Sequence, residues 1–137
     1  MHITSSNKNQ FDLYHYHDAW FQGFNYDYAN RRITFSMEDS WEYDHLDLVF
    51  NNVIYFEAQS LTFWGYSEDL YHAHVKDELP ELDKLCALRD KNDFGHSELD
   101  KNIDYIGIEL IVKSGDTILI ICESVDVDAI GSKEQNS

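Results

Sequence analysis

The feature that most constrains the fold is a pair of apolar segments late in the sequence. Residues Asp104–Lys113 and Thr117–Glu123 flank a turn sequence, Ser114-Gly115-Asp116. Their apolar residues fall at both odd and even positions, which is typical of strands that are covered on both faces. The sequence therefore predicts a β-hairpin in the centre of a sheet.

Strict alternation of apolar and polar residues marks further strands in the first half of the chain. Two stretches alternate in this way, one before and one after residues 38–45. The turn residues Ala29-Asn30-Arg31 precede the first stretch, and the turn residues Asn51-Asn52 follow the second. The alternating apolar residues are Ile33, Phe35, Met37, Leu46, Leu48 and Phe50. A period of two with turn residues at the ends predicts strands that have an inner and an outer face. Val53–Ala58 continues as another strand.

The stretch HYHDAWFQGFNYDY, residues 15 to 28, is rich in aromatic residues. Counted from Tyr14, most even positions are aromatic: Tyr14, Tyr16, Trp20, Phe24, Tyr26 and Tyr28. Aromatic residues at every second position favour a strand. We predict a strand that starts at about Tyr14 and contributes these aromatic side chains to the core.

One segment has a helical rather than a two-residue period. Leucines and a cysteine recur on one helical face between Leu79 and Asp90, and Pro80 suits the first turn of a helix. The predicted fold class is therefore mainly β, at the margin of α+β. We expect an antiparallel sheet or β-sandwich of about seven or eight strands with one helix near residues 79–91. Residues 1–137 form one predicted domain, with 1–10 and 131–137 expected to fray.

The net charge restricts the class of partner. The chain has 26 Asp and Glu against 10 Lys and Arg, a formal net charge of −16. Such a chain is repelled by nucleic acids and anionic lipid surfaces, whereas a basic protein would be steered toward it. The sequence has no apolar run long enough for a membrane helix and no secretory signal at its start, so we expect a cytoplasmic protein.

The strongest candidate for a binding site is a zone without Lys or Arg. It extends from Ile33 to Val75 and includes the stretch MEDSWEYDHLD, residues 37 to 47. Exposed Trp and Tyr act as anchors in interfaces, and neighbouring carboxylates pair with Arg or Lys of a partner. The predicted partner-binding residues are Glu38, Asp39, Trp41, Glu42, Tyr43, Asp44, Asp47, Trp64 and Tyr66.

Two alternatives remain open for this zone. In the first, Trp41 anchors a loop into the core and the acids are merely solvated. In the second, the same exposed rings stack on sugars, and the chain is a carbohydrate or small-ligand binding module. Binding that weakens little with salt would distinguish the second alternative from a charged interface.

Paired histidines raise the possibility of a metal-dependent enzyme. The pattern H-x-H occurs twice, as His15/His17 and as His72/His74, and on a strand it directs both imidazoles to one side. His72 and His74 alternate with Tyr71, Ala73 and Val75, however, which places both on the predicted solvent face. Known catalytic, nucleotide and phosphate motifs are missing from the sequence. We predict no catalytic residue, no metal and no cofactor, and we interpret Cys86 and Cys122 as free core thiols.

Several short motifs resemble those of small uncharacterised bacterial β-rich proteins, including candidate immunity proteins of polymorphic toxin systems. They are His17-Asp18-Ala19-Trp20, then Phe24 and Tyr26-Asp27 before a turn, and Trp64-Gly65 midway. The resemblance implies a bacterial β-rich protein and transfers no site residue. The leading hypothesis is a non-enzymatic acidic domain that binds a protein, such as an immunity protein that neutralises a basic toxin.

Overall fold

The computed structural model describes residues 1–14, 16, 18–38, 43–58, 70–85, 102–112 and 115–132. Within these ranges nine strands form two antiparallel sheets. The strands are β1 His2–Ile3, β2 Trp20–Asp27, β3 Arg32–Glu38, β4 Tyr43–Asn51, β5 Tyr55–Ala58, β6 Leu70–Val75, β7 Ile106–Val112, β8 Thr117–Cys122 and β9 Ser124–Ser132. A 3-10 helix spans Ser5–Leu13, and residues 80–85 are helical. No described helix has the length and apolar character needed to cross a membrane.

The two sheets share one hydrophobic core. The strand order is β1-β9-β4-β3-β2 in the five-stranded sheet and β5-β8-β7-β6 in the four-stranded sheet. Alternate residues of β3 and β4 enter the core, as their alternating sequences predict. Fully buried examples are Ile33, Phe35, Met37, Leu46, Leu48, Phe50, Ile108 and Ile120. The predicted mainly β, antiparallel fold class is thus confirmed.

The late hairpin is central, as its sequence predicts. β7 and β8 pair with each other and occupy the two middle positions of the four-stranded sheet. In β8, Ile118 and Ile120 are buried on one face, and Leu119 and Ile121 are buried on the other. The predicted helix is confirmed for residues 80–85, and its remaining residues lie outside the described part of the chain.

The amino-terminal residues pack against the rest of the described chain, and the expected fraying of residues 1–10 stays a prediction. Ile3 pairs with Val125 of β9, and the 3-10 helix that follows buries Phe11 completely. Tyr16 stacks on Phe11, with 4.7 Å between ring centroids, and its hydroxyl donates to the Phe11 carbonyl at 2.6 Å. A few apolar residues therefore pack a segment of mainly polar composition against the core.

β9 was not predicted from the sequence. It pairs with β4 along most of its length, from Asn51 opposite Ser124 to Tyr43 opposite Ser132. Gly131 and Ser132, expected to fray, are its last two residues, and residues 133–137 lie outside the described ranges. Because β9 also pairs with β1, it joins the amino terminus to the centre of the five-stranded sheet.

The prediction for the aromatic stretch is wrong in part. β2 begins at Trp20 rather than at Tyr14, and Tyr16 is buried, but four aromatic residues of the stretch are exposed. The exposed fractions are 47% for Trp20, 45% for Phe24, 42% for Tyr26 and 80% for Tyr28. A register shift between Phe21 and Gly23 reverses the phase of alternation, so Trp20 and Phe24 face opposite sides of the sheet.

Candidate binding surface

The outer faces of the two sheets differ in character. On the four-stranded sheet the outward-facing Leu119 and Ile121 are buried, and the Leu79 side chain occupies the space beside Gly107 that a Cβ would need. On the five-stranded sheet the outward-facing positions are mostly polar and partly or fully exposed. Among the described residues, the more polar and more exposed outer face is therefore that of the five-stranded sheet.

One row of outward side chains crosses four strands of this sheet in register. Trp20 lies opposite Glu38, Glu38 opposite His45, and His45 opposite Ile130. Residues directly opposite in an antiparallel pair project to the same face with their Cβ atoms about 5 Å apart. Trp20 is 47% exposed and Ile130 is 61% exposed. The row therefore places an exposed apolar side chain at each end and polar side chains between them.

A second row lies beside the first and carries like charges. Ser36 lies opposite Asp47, and Asp47 opposite Asp128, which is exposed. Asp126 lies one outward position farther along β9. We call the outward residues Trp20, Glu38, His45, Asp47, Asp126, Asp128 and Ile130 the acidic face. Among the residues of these five strands, Arg32 is the one Lys or Arg, and it lies opposite Asp27 at the far end of β3.

His45 lies between two carboxylates of the acidic face. Its Nε2 is 3.0 Å from Oδ1 of Asp47, and its Nδ1 is 3.9 Å from Oε1 of Glu38. Both contacts are within ion-pair distance, and the buried Oδ1 of Asp47 lies against the His45 ring. A guanidinium or ammonium group of a partner therefore reaches the exposed carboxylates of Glu38 and Asp128 more readily than this oxygen.

Asp126, in contrast, is held by neighbours within the sheet. It accepts hydrogen bonds from Nδ1 of His2 at 2.6 Å and from Nδ2 of Asn51 at 2.9 Å. Partial burial acts to raise the pKa of Asp126, but these two hydrogen bonds outweigh it and hold the pKa below its ordinary value. Asp126 is therefore a charged structural group at neutral pH, whereas the more exposed Asp128 is available to a partner.

The predicted binding residues have different positions. Glu38 and Asp47 belong to the acidic face, and Asp44 is exposed on β4 opposite Gly131, where a Cβ would collide with its carboxylate. Tyr43 is half-buried against the core and lies 6.1 Å from the Tyr14 ring, between centroids, so it is not a freely exposed anchor. The other predicted residues, Asp39, Trp41, Glu42, Trp64 and Tyr66, lie outside the described ranges.

Five residues of the acidic face are absent from the predicted set. They are Trp20 on β2, His45 on β4, and Asp126, Asp128 and Ile130 on β9. The available signal was the alternation of Val125 and Val127 with aspartates, which predicts one buried and one acidic face. Their proximity to Glu38 and Asp47 could not be predicted, because it depends on which strands are neighbours.

The histidines and cysteines form no metal centre in the described ranges. The His72 and His74 rings stack at 5.0 Å between centroids, and Nε2 of His74 is 3.5 Å from Oε1 of Glu109. No three His, Cys, Asp or Glu side chains of the described residues come together as a metal site requires. Cys122 is a buried free thiol whose pKa is raised by burial. His15, His17 and Cys86 lie outside these ranges.

Comparisons with known proteins do not assign a function. No protein-family model matches the sequence, and no curated protein is significantly similar to it. The basis for a functional proposal is therefore the chemistry of the acidic face: carboxylates with apolar side chains at the margins.

Proposed function

We propose that this chain is a non-enzymatic binding protein whose acidic face docks a positively charged protein. The observation that carries the proposal is the row from Trp20 through Glu38 and His45 to Ile130. Interfaces commonly combine apolar or aromatic anchors with charged groups that pair across the contact. A row with exposed apolar ends, with Glu38 and His45 between them and the acids Asp47 and Asp128 beside it, supports this combination on one continuous surface.

The charges explain how such a complex would gain affinity. The net charge of −16 would steer a basic partner toward this chain and accelerate the encounter. On contact, an arginine or lysine between Asp47 and Asp128 would replace the repulsion of these opposed carboxylates with two favourable pairs. Desolvation of Trp20 and Ile130 would slow dissociation.

The class of partner that this chemistry favours is a basic toxin, and the chain would then be its immunity protein. A toxin that acts on nucleic acid needs a cationic surface to bind phosphates. The acidic face would occupy that surface as a mimic of the polyanion. The resemblance of the HDAW and FxYD motifs to candidate immunity proteins supports the same proposal.

The experiment that tests this function starts with affinity capture from cells that produce the protein. The captured partner is purified and titrated against two variants that have the same net charge. The first variant, E38K/D44K/D128K, reverses Glu38 and Asp128 of the acidic face together with Asp44, an exposed acid at the start of β4. The second, D77K/E78K/D83K, reverses exposed acids beyond β6 and in the helical segment, and serves as the control.

We expect the first variant to weaken binding at least about tenfold and to reduce its salt dependence. The control variant should change the affinity much less, because its charges lie away from the interface. Equal effects of the two variants would show that only net charge matters and would contradict a specific acidic face. Binding of sugars that depends little on salt would favour the carbohydrate alternative.

A further inference from the structure

β2 is an edge strand of the five-stranded sheet among the strands that the structure describes. Its one hydrogen-bonded neighbour in this part of the chain is β3. Its residues are exposed on both faces, including Trp20 and Asn25 on the outer face and Phe24 and Tyr26 on the inner face. An edge strand presents a row of backbone N–H and C=O groups on its unpaired side, which can pair with another extended chain.

The sequence of β2, WFQGFNYD, has few of the features that usually block an edge. It contains no Lys, Arg or Pro, and its single charge is Asp27 at the end. Asp27 accepts hydrogen bonds from Asn30 in the following turn. A bulge between Phe21 and Gly23 disturbs the first part of the strand. The regular edge that remains is the segment from Gly23 to Asp27.

Two aromatic rings project from this segment on the inner side, beyond the closed part of the core. Phe24 is 45% exposed and Tyr26 is 42% exposed. Phe56 of β5, from the opposite sheet, contacts both, with ring centroids at 5.8 Å from Phe24 and 6.5 Å from Tyr26. We call Phe24, Tyr26 and Phe56 the aromatic ledge. It is an aromatic surface next to the edge of the described sheet.

We propose that the partner binds by adding an extended cationic segment to β2 as a sixth strand of the five-stranded sheet. The proposal rests on the proposed function and specifies how the partner docks. Side chains alternate between the faces of a strand. Those on the inner side of the added strand meet the aromatic ledge. Those on the outer side lie beside Asn25 and Asp27, and at the end before the bulge they reach Trp20 and Glu38, the nearest part of the acidic face. The segment therefore alternates apolar residues with Arg or Lys.

The charge of the chain favours a cationic segment over a second copy of the chain as the strand that pairs with β2. Pairing of two β2 strands would place two acidic faces in one continuous sheet, between chains of net charge −16 each. A cationic segment instead contributes the charges that the acidic face lacks. Backbone hydrogen bonds to β2 would supply affinity, and the two sets of side chains would supply specificity.

The test uses a synthetic peptide of alternating Val and Arg, roughly eight residues long, within the usual range of strand lengths. Two further peptides carry N-methyl groups, one at every Val and one at every Arg. In an extended strand the N–H groups of alternate residues point to opposite edges. Only one of the two methylated peptides can therefore lose its hydrogen bonds to β2. We expect that peptide to bind at least about tenfold more weakly and the other to bind like the parent.

A matched pair of protein variants tests the aromatic ledge. Tyr26→Ser should weaken peptide binding several-fold, whereas Tyr28→Ser, at the 80%-exposed ring beyond the strand end, should leave it within about twofold. Equal affinity of both methylated peptides, or no saturable binding of the parent peptide, would overturn strand addition. A dimer of this chain that Tyr26→Ser dissociates would also overturn it, in favour of a second copy.

The outcomes separate this proposal from the function on which it rests. If E38K/D44K/D128K weakens the peptide while both methylated forms bind equally, the acidic face binds cations but β2 is not the docking edge. If only one of the two methylated peptides binds more weakly and E38K/D44K/D128K does not change peptide affinity, strand addition is supported. The acidic face is then not the source of the affinity.

Discussion

Asp47 of β4 and Asp128 of β9 lie directly opposite each other on the outer face of the five-stranded sheet. Like charges in this position destabilise an antiparallel pair. The inner faces of the same two strands bury Leu46, Leu48 and Val127, which more than offsets the repulsion. An arrangement that lowers stability on an exposed surface is expected where the surface has a function.

Removal of one of the two opposed charges should stabilise the protein. We expect Asp128→Asn to raise the free energy of unfolding by about 0.2 to 1 kcal/mol, the usual range for cross-strand charge pairs. Urea unfolding at low salt measures it, with Asp83→Asn as the control for the change in net charge. The gain should shrink at high salt because screening weakens the repulsion. A loss of stability would mean that Asp128 has a favourable partner in the folded chain.

The hydrogen-bonded Asp126 should make stability depend on pH. Since its pKa is held below the ordinary value, its contribution is present at neutral pH and is lost as pH falls through that lowered pKa. Asp126→Asn should therefore destabilise the protein near pH 7 and have progressively less effect below about pH 4. Urea unfolding at several pH values measures the difference. A difference that stays constant with pH would contradict the role of the charged form.

The buried phenol of Tyr16 should contribute to the amino-terminal packing. Burial raises the pKa of Tyr16 well above its ordinary value, so the hydroxyl stays protonated and donates to the Phe11 carbonyl. We expect Tyr16→Phe to lower the free energy of unfolding by about 0.5 to 1.5 kcal/mol, because a buried hydrogen bond is lost and the Phe11 carbonyl keeps only the longer bond from the Tyr14 amide. Tyr28→Phe, at an exposed ring, is the control and should change stability little. Equal effects of both substitutions would contradict the assignment.

The apolar ends of the acidic face should matter more for binding than for stability. Ile130 is 61% exposed, so Ile130→Ser should change the free energy of unfolding by less than about 0.5 kcal/mol, whereas Trp20→Ser removes a half-buried ring and should lower it by about 1 to 2 kcal/mol. Each should weaken partner binding several-fold by increasing the dissociation rate. Surface plasmon resonance measures the rates. Unchanged dissociation for both variants would remove these residues from the interface.

The fold class could be predicted because core strands carry local signals. The two-sided apolar pattern of β7 and β8 and the strict alternation of β3 and β4 reflect burial directly. In β2 the prediction failed for a local reason: a bulge after Phe21 reverses the phase of alternation. Its position at the sheet edge also leaves Phe24 and Tyr26 partly exposed, which no periodicity indicates.

The sequence predicted only those residues of the acidic face that lie within one continuous stretch of the chain. Glu38 and Asp47 stand out in the base-free zone, but Trp20, Asp128 and Ile130 come from distant segments. The register of β2, β3, β4 and β9 brings them together. Such pairing between strands far apart in sequence is decided by the whole core, so composition and spacing within one segment do not specify it.

The most direct test of the acidic face is a chemical-shift map of the labelled protein during titration with an arginine-rich peptide. If the peptide binds to the acidic face, we expect saturable shifts at the Trp20 indole and at the amides of Glu38, Asp47, Asp128 and Ile130. Tyr55 and Glu57, on the other sheet, should stay unchanged. Shifts spread evenly over all acids, or concentrated at Asp77, Glu78 and Asp83, would contradict binding at the acidic face.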